Sequence, residues 1–254
     1  MINLKKKLKD NALSIGSWLQ FNSPDVAEVM AKAGFEWLAV DMEHGPIDVT
    51  DLPNLFRAIE NGGALPLVRL SENSPYLIKR VLDAGAQGII VPAIRTAEEA
   101  KRAVDSAQYP PRGRRGIGYA RANNYGLDFK TYFNRFNDDV VVVIQIEDIS
   151  AVNNIEEIFS VKEIDSFLIG PYDLSGSINK TGCFDDPEVK AAIQKVLGAA
   201  KKRRITPGIH VIPPDVNEVR RRINEGFKFV AVSMDTYMLG TLASQLFQPL
   251  KELL

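Results

Sequence analysis

The stretch Val141-Val-Val-Ile-Gln-Ile-Glu147 is a short, β-branched and apolar run that ends in a carboxylate. A second run of this kind, Phe167-Leu-Ile-Gly-Pro171, is followed two residues later by Asp173. Both runs have the composition of buried strands. Two carboxylates at the same end of two parallel strands can bind one hard divalent cation, and buried carboxylates are costly unless they are paired or bound to metal. These stretches therefore predict a metal site formed by Glu147 and Asp173.

Further apolar runs bring the number of predicted strands to eight, at 15–20, 37–41, 65–69, 88–92, 140–146, 166–170, 207–211 and 229–233. Between them, helix starts are indicated by a hydroxyl or carboxylate side chain at Ser23, Ser74, Thr96, Asp186, Asp215 and Asp235. Eight β-then-α units with apolar strands predict an α/β fold, a parallel (β/α)8 TIM barrel. A doubly wound open sheet has the same alternation, but the count of eight and the chain length favour the barrel.

Composition limits the kind of protein. The chain has 254 residues, 45% of them hydrophobic, which suffices for one barrel domain over residues 1–254. With 31 basic and 32 acidic residues, the net charge of −1 gives no electrostatic reason to expect nucleic acid or an anionic membrane as partner. The single cysteine, Cys183, excludes an intramolecular disulfide, and no apolar run approaches the roughly 18–20 residues of a membrane span. We therefore expect a soluble, cytoplasmic protein without a secretory signal.

Polar residues collect where the predicted strands end. Strand two is followed by Asp41, Glu43 and His44, and the two carboxylates lie close enough in sequence to hold the imidazole. This arrangement predicts a general base. Arg69 ends an apolar strand, where an arginine needs an anion or a carboxylate partner. It either stabilises negative charge in a reaction or forms a structural ion pair, with Asp83 or Glu43 as the partner.

Three other residues near strand ends allow two interpretations each. Gln145 lies two residues before Glu147, so both side chains share one face of the strand, and Gln145 either reaches the metal or a bound water or fills the barrel interior. His210 follows strand seven and either lines the site or is a structural histidine, which we favour. Asp235 is more typical of a helix cap than of a catalytic group.

The connection from 108 to 139 is unusually long, and it holds Arg112, Arg114 and Arg115 in a segment rich in proline and glycine. Loops of this length in a compact domain are often functional. Because it comes after the fourth predicted strand, we expect it on the catalytic face of the barrel. Its arginines are also the one hint in the sequence of a nucleotide-binding cleft.

The residues at the strand ends indicate a class of reaction. A hard cation can bind a 2-oxo acid through its carboxylate and ketone oxygens, and an arginine beside it can stabilise the enolate formed when a C3–H or C3–C4 bond breaks. A base transfers the proton on the oxygen of the second reactant, the aldehyde. This combination predicts aldol chemistry. The predicted strand ends carry no lysine, which argues against a Schiff-base mechanism.

Seven motifs follow one another along the chain: Asp41-Met-Glu-His44-Gly-Pro46, Val68-Arg69, Leu82-Asp-Ala-Gly-Ala-Gln-Gly-Ile-Ile-Val-Pro92, Tyr109-Pro-Pro-Arg-Gly-Arg-Arg-Gly-Ile-Gly118, Gln145-Ile-Glu147, Ile169-Gly-Pro-Tyr-Asp-Leu-Ser175 and Val232-Ser-Met-Asp-Thr236. Together and in this order they resemble the HpcH/HpaI family of metal-dependent pyruvate aldolases. This family includes 2-dehydro-3-deoxyglucarate aldolase and 2,4-dihydroxyhept-2-ene-1,7-dioate aldolase. The resemblance covers the chain from about Gly16 to about Leu246. Each motif alone is weak, but seven in the order of the family are specific.

The resemblance implies a (β/α)8 barrel whose last helix is exchanged between subunits of a homo-oligomer, usually a hexamer built from dimers. It implies a divalent metal ion, Mg²⁺, Mn²⁺ or Co²⁺, held by Glu147 and Asp173 with Gln145 close by. For the substrate, it implies that backbone amides near 170–173 bind the pyruvate carboxylate. It places these residues at the substrate: Gln145, Gly170, Pro171, Tyr172 and Ser175.

The resemblance also implies catalytic roles. Arg69 would neutralise the pyruvate enolate, and His44, supported by Asp41, would transfer protons. Asp83 corresponds to an acidic residue that a neighbouring subunit brings to the site. The chain departs from the family near the site, for example with Asn179 where a glycine is common. These departures leave every predicted catalytic residue in place but bear on the choice of aldehyde.

Three functions are compatible with these residues and motifs. The first is a class II pyruvate aldolase that cleaves a 2-keto-4-hydroxy acid into pyruvate and an aldehyde. The second is a CoA-thioester lyase of the citrate lyase β type, which would need a nucleotide-binding cleft. The third is a non-catalytic binding or scaffold barrel. The intact set of His44, Arg69, Glu147 and Asp173 favours the first.

Overall fold

The fold is a closed barrel of parallel strands, seen in a computed structural model that describes residues 2–253, apart from the side chain of Glu252. The strands pair in chain order from first to last, and the last pairs with the first. They are β1 (Ser14–Leu19), β2 (Trp37–Asp41), β3 (Leu65–Arg69), β4 (Gly88–Val91), β5 (Val141–Ile146), β6 (Ser166–Ile169), β7 (Thr206–Val211) and β8 (Phe229–Met234). The predicted TIM barrel is confirmed, and each predicted strand agrees with the observed one to within one residue.

Helices surround the barrel and alternate with its strands. They are α1 (Leu4–Lys9), α2 (Pro24–Lys32), α3 (Leu52–Gly62), α4 (Pro75–Ala84), α5 (Ala97–Ala107), α6 (Phe129–Asp139), α7 (Ile149–Asn153), α8 (Ile155–Ile158), α9 (Pro171–Gly176), α10 (Pro187–Arg203), α11 (Val216–Asn224) and α12 (Asp235–Phe247), with 3₁₀ turns at Arg121–Gly126 and Gln248–Leu253. Among the described residues, no helix combines the length and the hydropathy that crossing a membrane requires.

The helix starts predicted from capping residues are present. Side chains accept a hydrogen bond from the first turn at Ser23, Ser74, Thr96, Asp186 and Asp215. Asp235 does begin α12 as predicted, but its carboxylate has a larger role. It accepts hydrogen bonds from the backbone N–H groups of Gln20 (2.9 Å) and Phe21 (3.0 Å), and so ties α12 to the end of β1.

Large side chains fill the interior of the barrel, because the inward positions of parallel strands stack in layers. Trp37 and Phe229 stack with their ring centroids 4.3 Å apart. The space for Trp37 exists because residue 16 is a glycine: a Cβ there would lie 2.0 Å from the indole ring. Leu4 and Leu8 of α1 are buried in the same cluster and close the amino-terminal end of the barrel.

The long connection at 108–139 does not lie on the predicted face. It begins after α5, not directly after β4, so it belongs to the amino-terminal end of the barrel, opposite the βα loops. A cavity of about 460 Å³ there is lined both by this connection and by Gln87 and Val140, which precede β4 and β5. The expectation that this connection shapes the catalytic face is therefore wrong.

Helix α12 presents apolar side chains that its own chain leaves exposed, namely Tyr237, Leu239, Leu242, Leu246 and Phe247. A helix in a monomer normally buries its apolar face. Exchange of this helix between subunits, which the resemblance implies, would cover these side chains and stays a prediction.

Candidate active site

A cavity of about 240 Å³ opens where the carboxyl ends of the strands meet. Its wall contains seven of the residues predicted from the sequence: His44, Arg69, Gln145, Gly170, Pro171, Tyr172 and Asp173. The cavity at the opposite end is larger, but it holds none of the predicted site residues. The smaller one is therefore the candidate active site, because the polar residues of a TIM barrel do chemistry at this face.

Glu147 and Asp173 converge beside Gly170. A Cβ on this glycine would lie 3.1 Å from Glu147 Oε2 and 3.6 Å from Asp173 Oδ2, so both carboxylates face the space that the missing side chain leaves open. Glu147 is held in place because the N–H of Ala93 donates to its Oε1 (2.7 Å) and Gln145 Nε2 donates to its Oε2 (2.6 Å). The predicted closeness of Gln145 to Glu147 is confirmed.

The charges around this space fit a divalent cation. Glu43 lies within electrostatic range of Asp41, Glu147 and Asp173, and the guanidinium of Arg69 opposes their charge. Burial raises the pKa of Glu147. Burial, opposed by Arg69 and reinforced by repulsion from the other carboxylates, raises the pKa of Glu43 to about 7. Such an excess of buried negative charge is stabilised by a bound cation with oxygen ligands.

The donor set suits an ion that needs few protein ligands. Among residues 2–253, no three His, Cys, Asp or Glu side chains converge as a metal cluster. Glu147 and Asp173 are the two carboxylates beside Gly170, and within the described part of the chain the amide oxygen of Gln145 is buried without a hydrogen-bond partner. Mg²⁺ is commonly bound by one or two carboxylates together with water and substrate oxygens.

Arg69 is fixed by its neighbour in the sheet. The pairing of β2 with β3 places Asp41 directly opposite Arg69. Arg69 Nε donates to Asp41 Oδ1 (2.9 Å) and Nη2 to Oδ2 (2.5 Å), a two-pronged pair. Burial acts to raise the pKa of Asp41, but the hydrogen bonds and charge of Arg69 hold it below its usual value. On its other side, the guanidinium lies 4.4 Å from the ring of Trp18.

The partners expected for Arg69 need one correction. Glu43 does lie close, with its Oε2 3.3 Å from Arg69 Nη1. Asp83, the other expected partner, lies at the end of α4 and forms an ion pair with Arg115 instead, at 2.6 Å. It does not line the cavity of its own chain. Its action in the site of a neighbouring subunit stays a prediction.

His44 reaches the cavity from the turn after β2. The carboxylate of Asp41 accepts from the backbone N–H groups of Glu43 (3.0 Å) and His44 (3.2 Å), which shapes this turn. Within the described residues, Asp41 makes no hydrogen bond to the imidazole. The expectation that Asp41 holds the ring directly is wrong, because both carboxylate oxygens are engaged by Arg69 and the turn. Asp41 therefore contacts His44 at its backbone N–H, and the side chain of His44 is exposed at the cavity.

Ser175 does not face the substrate. Its side chain is fully buried, and its hydroxyl donates to the carbonyl of Tyr172 (2.9 Å) and accepts from the N–H of Gly182 (3.1 Å). The prediction of a substrate contact is corrected to a role in holding the loop after β6.

The backbone at 170–173 offers fewer free amides than expected. Gly170 N–H donates to the carbonyl of Ile146 (3.3 Å), and Pro171 has no N–H. The amides of Tyr172 and Asp173 lie in the first turn of α9, where a helix offers no acceptor of its own. Gly170 and Pro171 therefore line the cavity by shape, and only the two following residues are placed to bind an anion.

Three residues of the site carry weak sequence signals. Trp18 shares a strand face with Gln20, so the alternation in β1 gives a hint that it points toward the site. His210 lies in the cavity wall, although a purely structural role was favoured. Ala93 adopts a left-handed backbone with φ of 54°, and its N–H holds Glu147. A contact made through the backbone leaves no side-chain pattern to detect.

The fold and this group of residues define an enzyme of the TIM-barrel class with its chemistry at the carboxyl ends of the strands. The chain belongs to the HpcH/HpaI aldolase/citrate lyase family, whose model matches residues 14–240. The predicted family is thereby confirmed.

Relatives of this chain are named as aldolases, which confirms the predicted class of enzyme. The chain is 38% identical to 2-dehydro-3,6-dideoxy-6-sulfogluconate aldolase of Pseudomonas putida, over 96% of this chain and 95% of that protein. It is 35% identical to 5-keto-4-deoxy-D-glucarate aldolase of Klebsiella pneumoniae, over 98% and 96%. The crystal structure of an HpcH/HpaI aldolase/citrate lyase family protein from Burkholderia cenocepacia superposes with a TM-score of 0.92 at 33% identity, covering 98% of this chain and all of that one.

Proposed function

We propose that this chain is a metal-dependent pyruvate aldolase that reversibly cleaves a 2-keto-4-hydroxy acid into pyruvate and an aldehyde. The observation that carries the proposal is the convergence of Glu147 and Asp173 on the space beside Gly170. The Arg69–Asp41 pair borders the same cavity. The aldolase names of the relatives support it.

We assign a residue to each part of the cleavage. Glu147 and Asp173 would hold Mg²⁺, Mn²⁺ or Co²⁺, which when bound supplies Lewis-acid polarisation of the ketone oxygen. Arg69 presents a fixed positive charge to the oxygen that becomes negative as the C3–C4 bond breaks. Its geometry is set before the substrate arrives, because Asp41 holds two of its nitrogens. The amides of Tyr172 and Asp173 are placed to bind the substrate carboxylate.

His44 handles the proton. Its imidazole takes the proton from the C4 hydroxyl as the C3–C4 bond breaks, so the oxygen becomes the aldehyde carbonyl and the bonding electrons pass to C3 as the enolate. Returning a proton to C3 then gives pyruvate. The exposed position of His44 at the cavity mouth suits exchange of this proton with solvent.

The CoA-thioester alternative loses its residue-level support. Its one hint was the basic cluster at 112–115. Arg115 is enclosed by the protein and paired with Asp83, and Arg112 pairs with Asp138 at 2.6 Å. None of the three arginines at 112–115 lies in the wall of the candidate active site. The identity of the metal ion, a homo-oligomer and a cytoplasmic location remain predictions.

The proposal is tested by exchange of the methyl protons of pyruvate with solvent deuterium, followed by NMR in Mg²⁺ buffer and in EDTA. Exchange should require the metal and be lost in Glu147→Ala, because this carboxylate is a predicted ligand. Glu156→Ala is the matched control, since Glu156 lies on the surface and pairs only with Lys202. Absence of exchange with every divalent ion, or full exchange in Glu147→Ala, would overturn the proposal.

A further inference from the structure

One sector of the cavity wall has no role in the proposed cleavage. It comes from β7, β8 and β1, whereas the two carboxylates follow β5 and β6. Its side chains are mostly apolar and include Trp18, Ile212 and Met234. His210 lies among them as a titratable ring.

One nitrogen of His210 is anchored. Nε2 lies 3.3 Å from the carbonyl oxygen of Ser233, so it carries the hydrogen and donates. Ser233 adopts a left-handed backbone with φ of 51°, a conformation that non-glycine residues rarely adopt outside constrained sites. The indole ring of Trp18 packs edge-on against the imidazole, with the centroids 5.4 Å apart. The ring is therefore held in one orientation.

The second nitrogen of His210 is an acceptor. Burial and the charge of Arg69 lower the pKa of His210 to about 3, so the ring is neutral at physiological pH. In a neutral ring whose Nε2 carries the hydrogen, Nδ1 has a lone pair. Among residues 2–253, no donor makes a hydrogen bond to this atom.

Two other polar side chains of the cavity wall, Gln20 and Arg69, are already engaged. Gln20 donates to Asp41 (3.0 Å) and accepts from the hydroxyl of Thr236 (2.8 Å). Arg69 is engaged by Asp41. Because His210 lies in the cavity wall, its Nδ1 atom is an acceptor that this sector can offer to a bound molecule.

We propose that His210 determines specificity by accepting, at Nδ1, a hydrogen bond from a hydroxyl group of the substrate. This role rests on the proposed function, because it concerns a substrate of that same cavity. The hydroxyl belongs either to the 2-oxo acid or to the aldehyde, and the chemistry of recognition is the same for both. A site built to accept a hydroxyl discriminates against the analogue that lacks it, since the analogue covers the acceptor without giving it a hydrogen bond.

The test compares matched substrates in aldol addition with metal present. One pair is 3-hydroxypyruvate and pyruvate as donors, and the other is glycolaldehyde and acetaldehyde as acceptors. The native enzyme should prefer the hydroxylated member of one pair. In His210→Leu, kcat/KM for that member should fall by about 3- to 10-fold, the value of one hydrogen bond, while its deoxy partner is unaffected. His210→Gln should restore the preference, because its amide can donate to Ser233 and accept from the substrate.

Met234→Leu is the control, since it reshapes the same sector without removing a polar group. An independent readout is ¹⁵N NMR of labelled histidine, which is simple because the chain has two histidines. The Nδ1 signal of His210 should be that of an unprotonated nitrogen and should shift when the preferred hydroxylated ligand binds.

Three results would overturn the role of His210. They are a preference that persists in His210→Leu, an equal loss for both members of each pair, and a hydrogen on Nδ1 in the free protein. If pyruvate shows metal-dependent methyl exchange but no hydroxyl preference appears, this inference alone fails. If the native enzyme shows no exchange, the proposed function fails and His210 loses its role with it.

Discussion

Two buried arginines lie at opposite ends of the barrel, and they are held in different ways. Arg69, at the carboxyl end of β3, gives two hydrogen bonds to a single carboxylate, Asp41. It has further carboxylates nearby and borders the cavity. The guanidinium is thus held in one orientation and remains accessible to a molecule bound in the cavity.

Arg115, in the 108–139 connection, is enclosed more completely but is less well satisfied. Its guanidinium lies between the rings of Tyr109 (4.5 Å) and Phe136 (4.4 Å) and forms one ion pair, with Asp83. Within residues 2–253, its Nε and Nη1 atoms are buried without hydrogen-bond partners. The comparison teaches that burial of an arginine does not by itself indicate chemistry. What distinguishes Arg69 is a guanidinium held by two hydrogen bonds to Asp41 beside the cavity.

The largest expected difference between the two arginines is in catalysis. Arg69→Lys keeps the charge but loses the fork that matches a carboxylate. We expect the rate of pyruvate methyl exchange to fall by about 10²- to 10³-fold, the usual effect of removing one group that stabilises an oxyanion. Arg115→Lys is the matched control and should retain most of the rate. Equal rates in the two variants would make Arg69 a structural residue.

The next largest effect concerns stability. Arg115→Leu breaks a buried ion pair and leaves Asp83 without its partner. We expect the free energy of unfolding, measured by urea denaturation, to fall by about 3 kcal/mol. Adding Asp83→Leu should recover part of this loss, because the unpaired carboxylate is then gone. An unchanged urea midpoint in Arg115→Leu would show that the aromatic rings, and not the ion pair, secure this connection.

The carboxylates near Arg69 give a smaller effect. Gly170→Ala places a methyl group against Glu147, where the space is tighter than ordinary contact allows. We expect the Kd for Mn²⁺, measured by calorimetry, to rise by about 10-fold, as for other changes just outside a metal's ligands. Gly198→Ala in α10 is the control, because a Cβ there meets no neighbour within 4 Å. Unchanged Mn²⁺ affinity in Gly170→Ala would argue against a metal beside this glycine.

The smallest expected effect is a dependence of the free energy of unfolding on pH. It comes from His210, which lines the same cavity as Arg69. The pKa of His210 is lowered to about 3 in the folded protein, so between that value and its ordinary pKa the unfolded chain binds a proton that the folded protein does not. The contribution of neutral His210 to the free energy of unfolding is therefore fully present above pH 6.5 and is lost as the pH falls below that value. At pH 5.5 the loss should be about 1 kcal/mol relative to His210→Gln. Parallel thermal denaturation curves for the two proteins at pH 7 and 5.5 would contradict this assignment.

The fold was predictable because local sequence determines it. Each β-branched run between capped helices became a strand, and the carboxylates that end β5 and follow β6 met where the order of strands requires. The predicted position of the 108–139 connection was wrong because α5 lies between β4 and this connection. The helix carries the chain back to the amino-terminal end of the barrel. The lesson is that the alternation of strand and helix fixes which end a loop occupies.

The pairings within the site were less predictable. Asp41 and Glu43 both lie near His44 in the sequence, but the register of β2 against β3 places Asp41 opposite Arg69, and the two form an ion pair. Register between strands far apart in the chain is set by the whole barrel, so it has no local signal. The same is true of the Ala93 amide that holds Glu147.

The side chain of Asp41 is bound by donors from three segments: the fork of Arg69, the amide of Gln20 and the backbone of its own turn. A replacement there would disturb the charge, the loop and the barrel wall together, so this position has little freedom to change during evolution. Met234 and Ile212 carry no such set of bonds. New substrate preferences are therefore more easily acquired in the sector of His210, while the bond-breaking residues are inherited intact.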